Sequence, residues 1–466
     1  MTKQDNRLLA FYGDDFTGST DALEFMSSVG AKTVLFMEPP TRELLAKYEP
    51  LDAFGVAGRS RSMTPEEMEQ ELRPDLEAMK TLKASHVHYK VCSTFDSSPT
   101  IGSIGKVIDM AMEFFDSPFV PLLVAAPALG RYCTFGNLFA QMGIGSDGDI
   151  FRLDRHPSMK NHPITPADES DLRLHLGRQT NKKIGLLNIL EVVKEESKAR
   201  AKLEEQITDG IKVILFDTLQ EEHMTSIGRL IDRYGTPEEP LFSVGSSGIE
   251  MALGQNWINE GRLQPKENWQ TPGKAEPLLV ASGSRSPVTS EQISWAVSNG
   301  FKEIALDTEA IAKKGITKAI IYKFSDCVTK QITQGNSVII HTSFWEDDAR
   351  IEATKVVFKR QGLNDFEMRT RTARLFGMAL GKIIRTVADQ TDLQRIVLAG
   401  GDTSSHAARA LDIEALEMIA PITPGAPLCK VAAPGSPMDG LEMNIKGGQV
   451  GDKTFFGKVL EGKEAI

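Results

Sequence analysis

Short apolar runs recur along the chain, each closed by a turn rich in glycine, serine or aspartate and followed by a stretch with helical period. Strand, turn and helix in that order are the rhythm of parallel βαβ units. The first cycle reads as a strand over 8–12, a loop over 13–19, a helix over 20–29 and a second strand over 32–37. A strand over 51–57 leads through a loop to Thr64-Pro65-Glu66-Glu67, where Thr64 is placed to cap a helix and Glu67 to reach back to the cap. Further strands are expected over 86–91, 122–126, 183–187, 213–216 and 241–244, the last entering the turn Gly245-Ser246-Ser247-Gly248. Residues 256–276 are polar, carry Pro265 and Pro272 and keep no period, which predicts a linker. A second series then begins: a strand over 277–281, a turn over 282–286, a helix over 289–297 with Thr289 and Gln292 as a capping box, and strands over 337–341 and 395–399. The fold class this predicts is two α/β domains with largely parallel sheets, residues 1–255 and 277–466, joined by the linker at 256–276.

Composition agrees with that division. A chain of 466 residues with 41% hydrophobic and 25% charged residues can fill two ordinary cores. The formal net charge of -10, with no basic run against it, argues against nucleic acid as a partner. No apolar stretch approaches the roughly 18 residues that span a bilayer, and the N-terminus does not read as a signal peptide, so a cytoplasmic protein without a membrane partner is expected. Cys92, Cys133, Cys327 and Cys429 form neither a CxxC pair nor a metal-ligand spacing, and read as reduced, buried or incidental thiols. A homo-oligomer is left open.

Candidate chemistry gathers at strand ends, where open α/β sheets bind ligands. Gly13-Asp14-Asp15-Phe16-Thr17-Gly18-Ser19 follows the first strand; one carboxylate there can accept a proton while the other orients a group or holds a cation. The plainer alternative is that Asp15 or Ser19 only caps the next helix. Arg59 and Arg61 follow another strand, and Lys90 through Pro99, which includes Ser93, Thr94 and Asp96, follows a third. Cations with hydroxyls suit a small polyhydroxy carboxylate, though a solvated arginine pair and a serine-rich turn would read the same. Gly130-Arg131, Thr134, Gly136-Asn137 and the polar 159–165 loop with His162 could line the same cleft; a lone histidine is more often structural. His86 and His88 share one strand face but lack a third metal ligand.

In the second half, Ser282-Gly283-Ser284-Arg285-Ser286, Gly400-Gly401-Asp402-Thr403 and Lys446-Gly447-Gly448 are glycine- and hydroxyl-rich, as backbone cradles for phosphate require. Each alone equally suits plain turn chemistry. GxxxxGK[ST] does not occur, and the one GxGxxG spacing, Gly143 to Gly148, lies outside these turns, which speaks against a P-loop and against the rival reading of a hydroxy-acid dehydrogenase.

With these residues in view the chain resembles the four-carbon acid sugar kinase family over nearly its whole length. Asp14-Asp15-Phe16-Thr17-Gly18 looks like the family's DDxTG motif, and Arg61 falls where the family has Ser-Arg. Lys90 to Pro99 and His162-Pro163-Ile164-Thr165-Pro166 are similar to the 3-oxo-tetronate kinase branch, while Ser282-Gly283-Ser284, Gly400 to Thr403 and Lys446 to Gly448 look like ATP-contacting segments. Departures are Asp402 in place of the usual Glu, Arg285 after the SGS turn and Gly447 in place of Ser. The resemblance implies a sugar-acid-binding first domain, an ATP- and Mg²⁺-binding second domain, and chemistry in the cleft between them. It implies Asp14 or Asp15 as the base for a terminal hydroxyl, Arg61 and Lys90 as holders of the carboxylate, and Ser93, Thr94, Asp96, Asn137 and His162 as further substrate contacts. Ser282, Gly283, Ser284, Gly400, Gly401, Asp402, Thr403, Lys446, Gly447 and Gly448 would contact the nucleotide. A non-catalytic sensor that binds both ligands would share these features.

Overall fold

A computed structural model describes residues 7–142, 148–160, 165–345 and 347–463. The chain divides into two compact units, Met1–Glu267 and Asn268–Ile466.

The first unit contains β1 (Arg7–Gly13), β2 (Thr33–Phe36), β3 (Ala53–Ala57), β4 (Ala84–Lys90), β5 (Val120–Leu123), β6 (Arg131–Thr134), β7 (Asn137–Gln141), β8 (Ile150–Arg152), β9 (Ile184–Leu187), β10 (Val213–Phe216) and β11 (Leu241–Gly245). Eight of these form a wholly parallel sheet in the order β2-β3-β1-β4-β11-β5-β10-β9. Parallel strands carry helices on both faces, which is why β1 is buried along its full length rather than alternating. A small antiparallel sheet, β6-β7-β8, is inserted after β5. Its three- to five-residue strands have no apolar run long enough to announce them.

The helix expected over 20–29 begins earlier, at Phe16–Ser28. Asp15 has extended backbone geometry and its side chain accepts from the Gly18 amide, so part of the expected loop is the helix's first turn. The Thr64 capping box is present, with both reciprocal bonds to Glu67. The expected linker at 256–276 starts too soon: helix Gly248–Asn259 carries Asn256 and Trp257 into the core of the first unit. Trp257 Nε1 donates to Asp232 at 2.9 Å, and the same carboxylate accepts from Asn256 (3.2 Å) and Arg262 (2.9 Å) and lies 2.9 Å from His86 Nε2. This hub holds the indole that the polar flanking sequence conceals.

The second unit contains β12 (Leu278–Ser282), β13 (Lys302–Ala305), β14 (Val338–His341), β15 (Arg395–Ala399), β16 (Ala415–Thr423), β17 (Ala426–Ala432) and β18 (Glu442–Lys446), ordered β13-β14-β12-β15-β18-β17-β16. The first five are parallel; β17 and β16 continue the sheet antiparallel. Leu278, Val280, Ile339 and Val397 pack with Ile293, Phe455, Phe456 and Val459 into one core. The capping box expected at Thr289 and Gln292 does not form. Helix Pro287–Ser298 starts two residues earlier, with Ser286 at its N-cap, and both side chains are buried elsewhere. Among the described residues, no helix is long and apolar enough to cross a membrane.

Burial opposes ionisation of Asp232, but its bonds to His86 and Trp257 win and hold its carboxyl below the usual carboxylate range. Its stabilising contribution is therefore present above that range and lost as pH falls through the folded value. Asp232→Ala should cost about 2–4 kcal/mol at neutral pH by leaving buried donors unpaired. Urea unfolding of wild type and variant, at neutral pH and in acid, checks both the size and the shrinking difference.

Candidate active site

Strand register brings the first group of residues together. Gly13 of β1 pairs with Ala57 of β3 and with Lys90 of β4, and Lys90 pairs with Gly245 of β11. Four strands thus end level, and the loops leaving them share one edge. The chain runs from β1 outward to β2 and β3 on one side, then to β4 on the other, so β1 and β4 flank the point where connections diverge.

Asp14 stands at that point with 2% of its surface exposed. Arg61 grips it bidentately, Nε to Oδ2 at 3.0 Å and Nη2 to Oδ1 at 2.7 Å, and its Nη1 reaches Asp15 Oδ2 at 2.6 Å. The backbone reinforces the pair: Arg61 N donates to Asp14 O and Asp14 N to Lys90 O. Burial pushes the Asp14 carboxyl up to about 6, against the pull of Arg61 and with a push from Asp15. Asp15 has a second duty, because its Oδ1 is the helix cap, 2.6 Å from the Gly18 amide.

Lys90 lies beside this pair. A methyl group on Gly18 would sit 3.7 Å from Lys90 Nζ and 3.9 Å from Arg61 Nη2, so both cations face one point over the helix start. Lys90 is buried and pairs with Asp21 at 3.1 Å; Ser247 also donates to Asp21. Behind Lys90, Glu250 is buried with neither oxygen hydrogen-bonded, and His88 Nε2 lies 3.6 Å from it. Burial pushes Glu250 up to about 8 and His88 down to about 3, so both are neutral near pH 7. Asp21 and Glu250 escape a reading along the chain, since one sits mid-helix and the other in a helix's first turn, neither within a motif. His88 bonds Ser243 and His86 meets Asp232, and no cluster of metal-ligating side chains occurs among the described residues.

Arg61 and Lys90, expected to grip a ligand carboxylate, therefore already hold protein carboxylates. Lys90 is buried and Arg61 partly buried, and their ion pairs fix Asp14, Asp15 and Asp21.

The loop after β4 carries a polar chain: Cys92 Sγ lies 2.9 Å from Thr94 Oγ1, which donates to Asp96 at 2.9 Å. Burial, then Asp96, pushes the Cys92 thiol up to about 11, so it stays protonated. Ser93, on the same loop, is half-buried. Asn137 opens β7 with both ends of its amide engaged, accepting from Ser170 at 2.7 Å and donating to Phe135 O at 3.3 Å. Those bonds tie it to Ser170 and to the turn between β6 and β7. His162 lies outside the described residues.

A second convergence lies in the second unit. Ser282 pairs with Ala399, and Ala399 with Lys446, so β12, β15 and β18 end level and release the three glycine-rich turns at one edge. Gly400 has φ +134°, which a side chain would strain, and its amide donates to Lys446 O at 3.0 Å. Gly283 packs on Thr403: a Cβ there would come within 2.1 Å of Thr403 Cγ2. Ser284 Oγ accepts from the Ser286 amide, and Gly401 precedes helix Asp402–Ala410. Thr289 and Gln292, the displaced capping pair, fasten the third turn: Thr289 donates to Gly448 O at 2.8 Å, and Gln292 to the carbonyls of Val450, Gly451 and Asp452.

Lys446 is buried under this edge, its Nζ 3.0 Å from Thr289 Oγ1 and 5.7 Å from the Phe455 ring centre. Among the described residues no carboxylate pairs with it, and burial lowers its ammonium to about 7. A cavity of about 310 Å³ opens beside the turns, lined by Gly283, Arg285 and Thr403 and by Phe358, Met368 and Phe376. Glycine turns and cations together with apolar side chains are what a nucleotide needs. Phe358, Met368 and Phe376 come from helices Ala349–Arg360 and Asp365–Gln390, far along the chain from the turns, and had no signature in the sequence.

Comparison with known proteins divides the chain at the same place. Residues 9–253 match a sugar-binding N-terminal domain and residues 279–456 a nucleotide-binding C-terminal domain. The chain is 41% identical over 458 residues to a 3-oxo-isoapionate kinase of Paraburkholderia graminis, covering 98% of this chain and 95% of that one. It is 29% identical to a 3-oxo-tetronate kinase of Pseudomonas fluorescens, covering 97% and 96%. Crystal structures of a Salmonella typhimurium LT2 protein (TM-score 0.74, 22% identity, 97% of this chain and 98% of that one) and a Haemophilus influenzae protein (0.69, 23%, 96% and 98%) have the same fold.

A bound phosphate would favour the charged form of Lys446, raising its pKa from about 7 toward the ordinary 10.5. ADP binding above pH 7 should therefore take up a proton, and affinity should fall as pH rises. Calorimetry in buffers of different ionisation heat checks this, and Lys446→Met should abolish the proton uptake.

Proposed function

Because the chain belongs to the four-carbon acid sugar kinase family, we propose that it transfers the γ-phosphoryl group of ATP to the terminal hydroxyl of a small 3-oxo sugar acid, with Asp14 as the base. The protein is a sugar acid kinase, a phosphotransferase with an alcohol acceptor. Its first unit takes the acid and its second the nucleotide. Within the family, 41% identity to a 3-oxo-isoapionate kinase favours that acid or a near relative; a 3-oxo-tetronate comes next, then threonate or erythronate.

The observation that carries the assignment of the base is the environment of Asp14, a buried carboxylate whose two oxygens Arg61 fixes in place. Its pKa near 6 leaves it ionised at neutral pH yet basic enough to accept a proton as the hydroxyl attacks. Asp15, tied to Arg61 and to the helix cap, has an orienting role. Phosphoryl transfer asks little covalent chemistry of a protein and much positioning and charge stabilisation. The amides of Gly401, Gly447 and Gly448 supply the positioning and Lys446 a cation, while those of Gly283 and Gly400 brace the turns by donating to Ala399 O and Lys446 O. Mg²⁺ usually binds one or two carboxylates along with phosphate oxygens and water, and Asp402, the first residue of its helix, is the carboxylate set beside these turns. When bound, Mg²⁺ supplies charge neutralisation of the phosphates.

Coupled ADP release with Mg-ATP and a panel of 3-oxo-isoapionate, 3-oxo-tetronates, threonates and erythronates tests the reading, with products identified by mass. A 3-oxo acid should gain one phosphoryl group; ligand binding with no ADP release from any acid would favour a sensor. Asp14→Asn should lower kcat by about 10²–10⁴-fold. Wild-type kcat/KM should fall as pH drops through about 6. In Arg61→Gln, with the main influence that lowers the Asp14 pKa removed, that limb should move to higher pH. Near-wild-type turnover in Asp14→Asn would mean another group is the base.

A further inference from the structure

The proposed function leaves an acid substrate without a cation, since Arg61 is committed to Asp14 and Asp15, and Lys90 to Asp21. Arg131 is differently placed. It opens β6 immediately after the turn that leaves β5, and is 7% exposed. Among the described residues only Nη1 of its guanidinium is bonded, to the carbonyls of Leu129 (3.0 Å), Gly130 (3.2 Å) and Gln141 (3.1 Å). Its Nε is buried without a partner, and among the described residues no carboxylate forms an ion pair with it. Buried arginines are ordinarily paired with an anion, so an unpaired one marks a place where an anion is missing.

Its neighbours locate it at the same site. Cys92 lies within electrostatic reach of both Arg131 and Arg61, and Asp96 within reach of Arg131. Arg131 follows β5 and Arg61 follows β3 in the chain, and both act electrostatically on the 92–96 loop. With Nη1 occupied, the Nε–Nη2 edge remains, and two parallel N–H groups on one edge match the two oxygens of a carboxylate.

We propose that Arg131, rather than Arg61 or Lys90, binds the carboxylate of the sugar acid through its Nε–Nη2 edge. This rests on the sugar acid kinase reading and adds to it the group that selects an acid over a neutral sugar. Asp14 then meets the hydroxyl end of the molecule and Arg131 the acid end, with Thr94 and Asp96 beside the carbons between them. The three carbonyl bonds of Nη1 hold the guanidinium in place before any ligand arrives.

The test compares KM and kcat for the 3-oxo acid and for its methyl ester in wild type, Arg131→Gln and Arg131→Lys, with melting temperatures alongside. Wild type should prefer the acid. Arg131→Gln should raise KM for the acid by about 10- to 100-fold, as expected for loss of charged hydrogen bonds, with kcat and the ester's KM little changed. If Arg131→Gln fails to fold, Arg131→Lys keeps the charge but lacks the paired edge, and should still raise the acid's KM. An unchanged acid KM in a folded variant, or equal losses for acid and ester, would assign Arg131 to clamping its turn and overturn the inference alone. A wild-type protein that phosphorylates none of the acids would overturn the kinase reading and this inference with it.

Discussion

The first unit's site is organised around one buried ion pair. Asp14 cannot remain ionised at 2% exposure without a partner, and the partly buried Arg61 supplies it. Each therefore fixes the other, and the balance between burial and attraction leaves a carboxylate that titrates near neutrality. Had Arg61 dominated, Asp14 would be a weak base; had burial dominated, it would be protonated at neutral pH. The level ends of β1, β3 and β4 make the pair possible, because a register slip of one residue would separate Asp14 from the loop that carries Arg61.

The two units apply one principle to opposite ends. In each, parallel strands end level beside the point where the chain's connections change direction, and loops from several strands meet there. The first unit neutralises the buried Arg7 and Lys90 and the partly buried Arg61 with its own carboxylates, Glu49, Asp21, and Asp14 with Asp15. The exceptions are Arg131 in the first unit and Lys446 in the second, buried cations with no carboxylate paired to them among the described residues. An enzyme that handles one carboxylate and one polyphosphate needs such unmatched charges, one for each anion.

Much of the central architecture was legible because parallel strands announce themselves as uninterrupted apolar runs: β10 and β15 fall on the expected residues, and β1 differs by one residue at each end. Short antiparallel pieces such as β6–β8 carry no such run. Polarity misled at Asn256 and Trp257, where the tryptophan's polar partners come from residues far apart in the chain, and at Thr289 and Gln292, where a capping pattern conceals bonds to the 448–452 turn. Motif residues at strand ends were visible, but their partners were not. That Arg61 faces two aspartates rather than a ligand, and that Arg131 faces none, depends on register and burial, which local sequence does not encode.

The state of the Asp14 carboxyl bears most directly on this account. Carbon-13 NMR titration of labelled aspartate, with Asp14→Asn to assign the resonance, should find a group titrating at about 6 in the wild-type protein. A resonance titrating at or below the ordinary aspartate value of 3.8 would show that Arg61 outweighs burial, and Asp14 would then be a structural anion rather than the base.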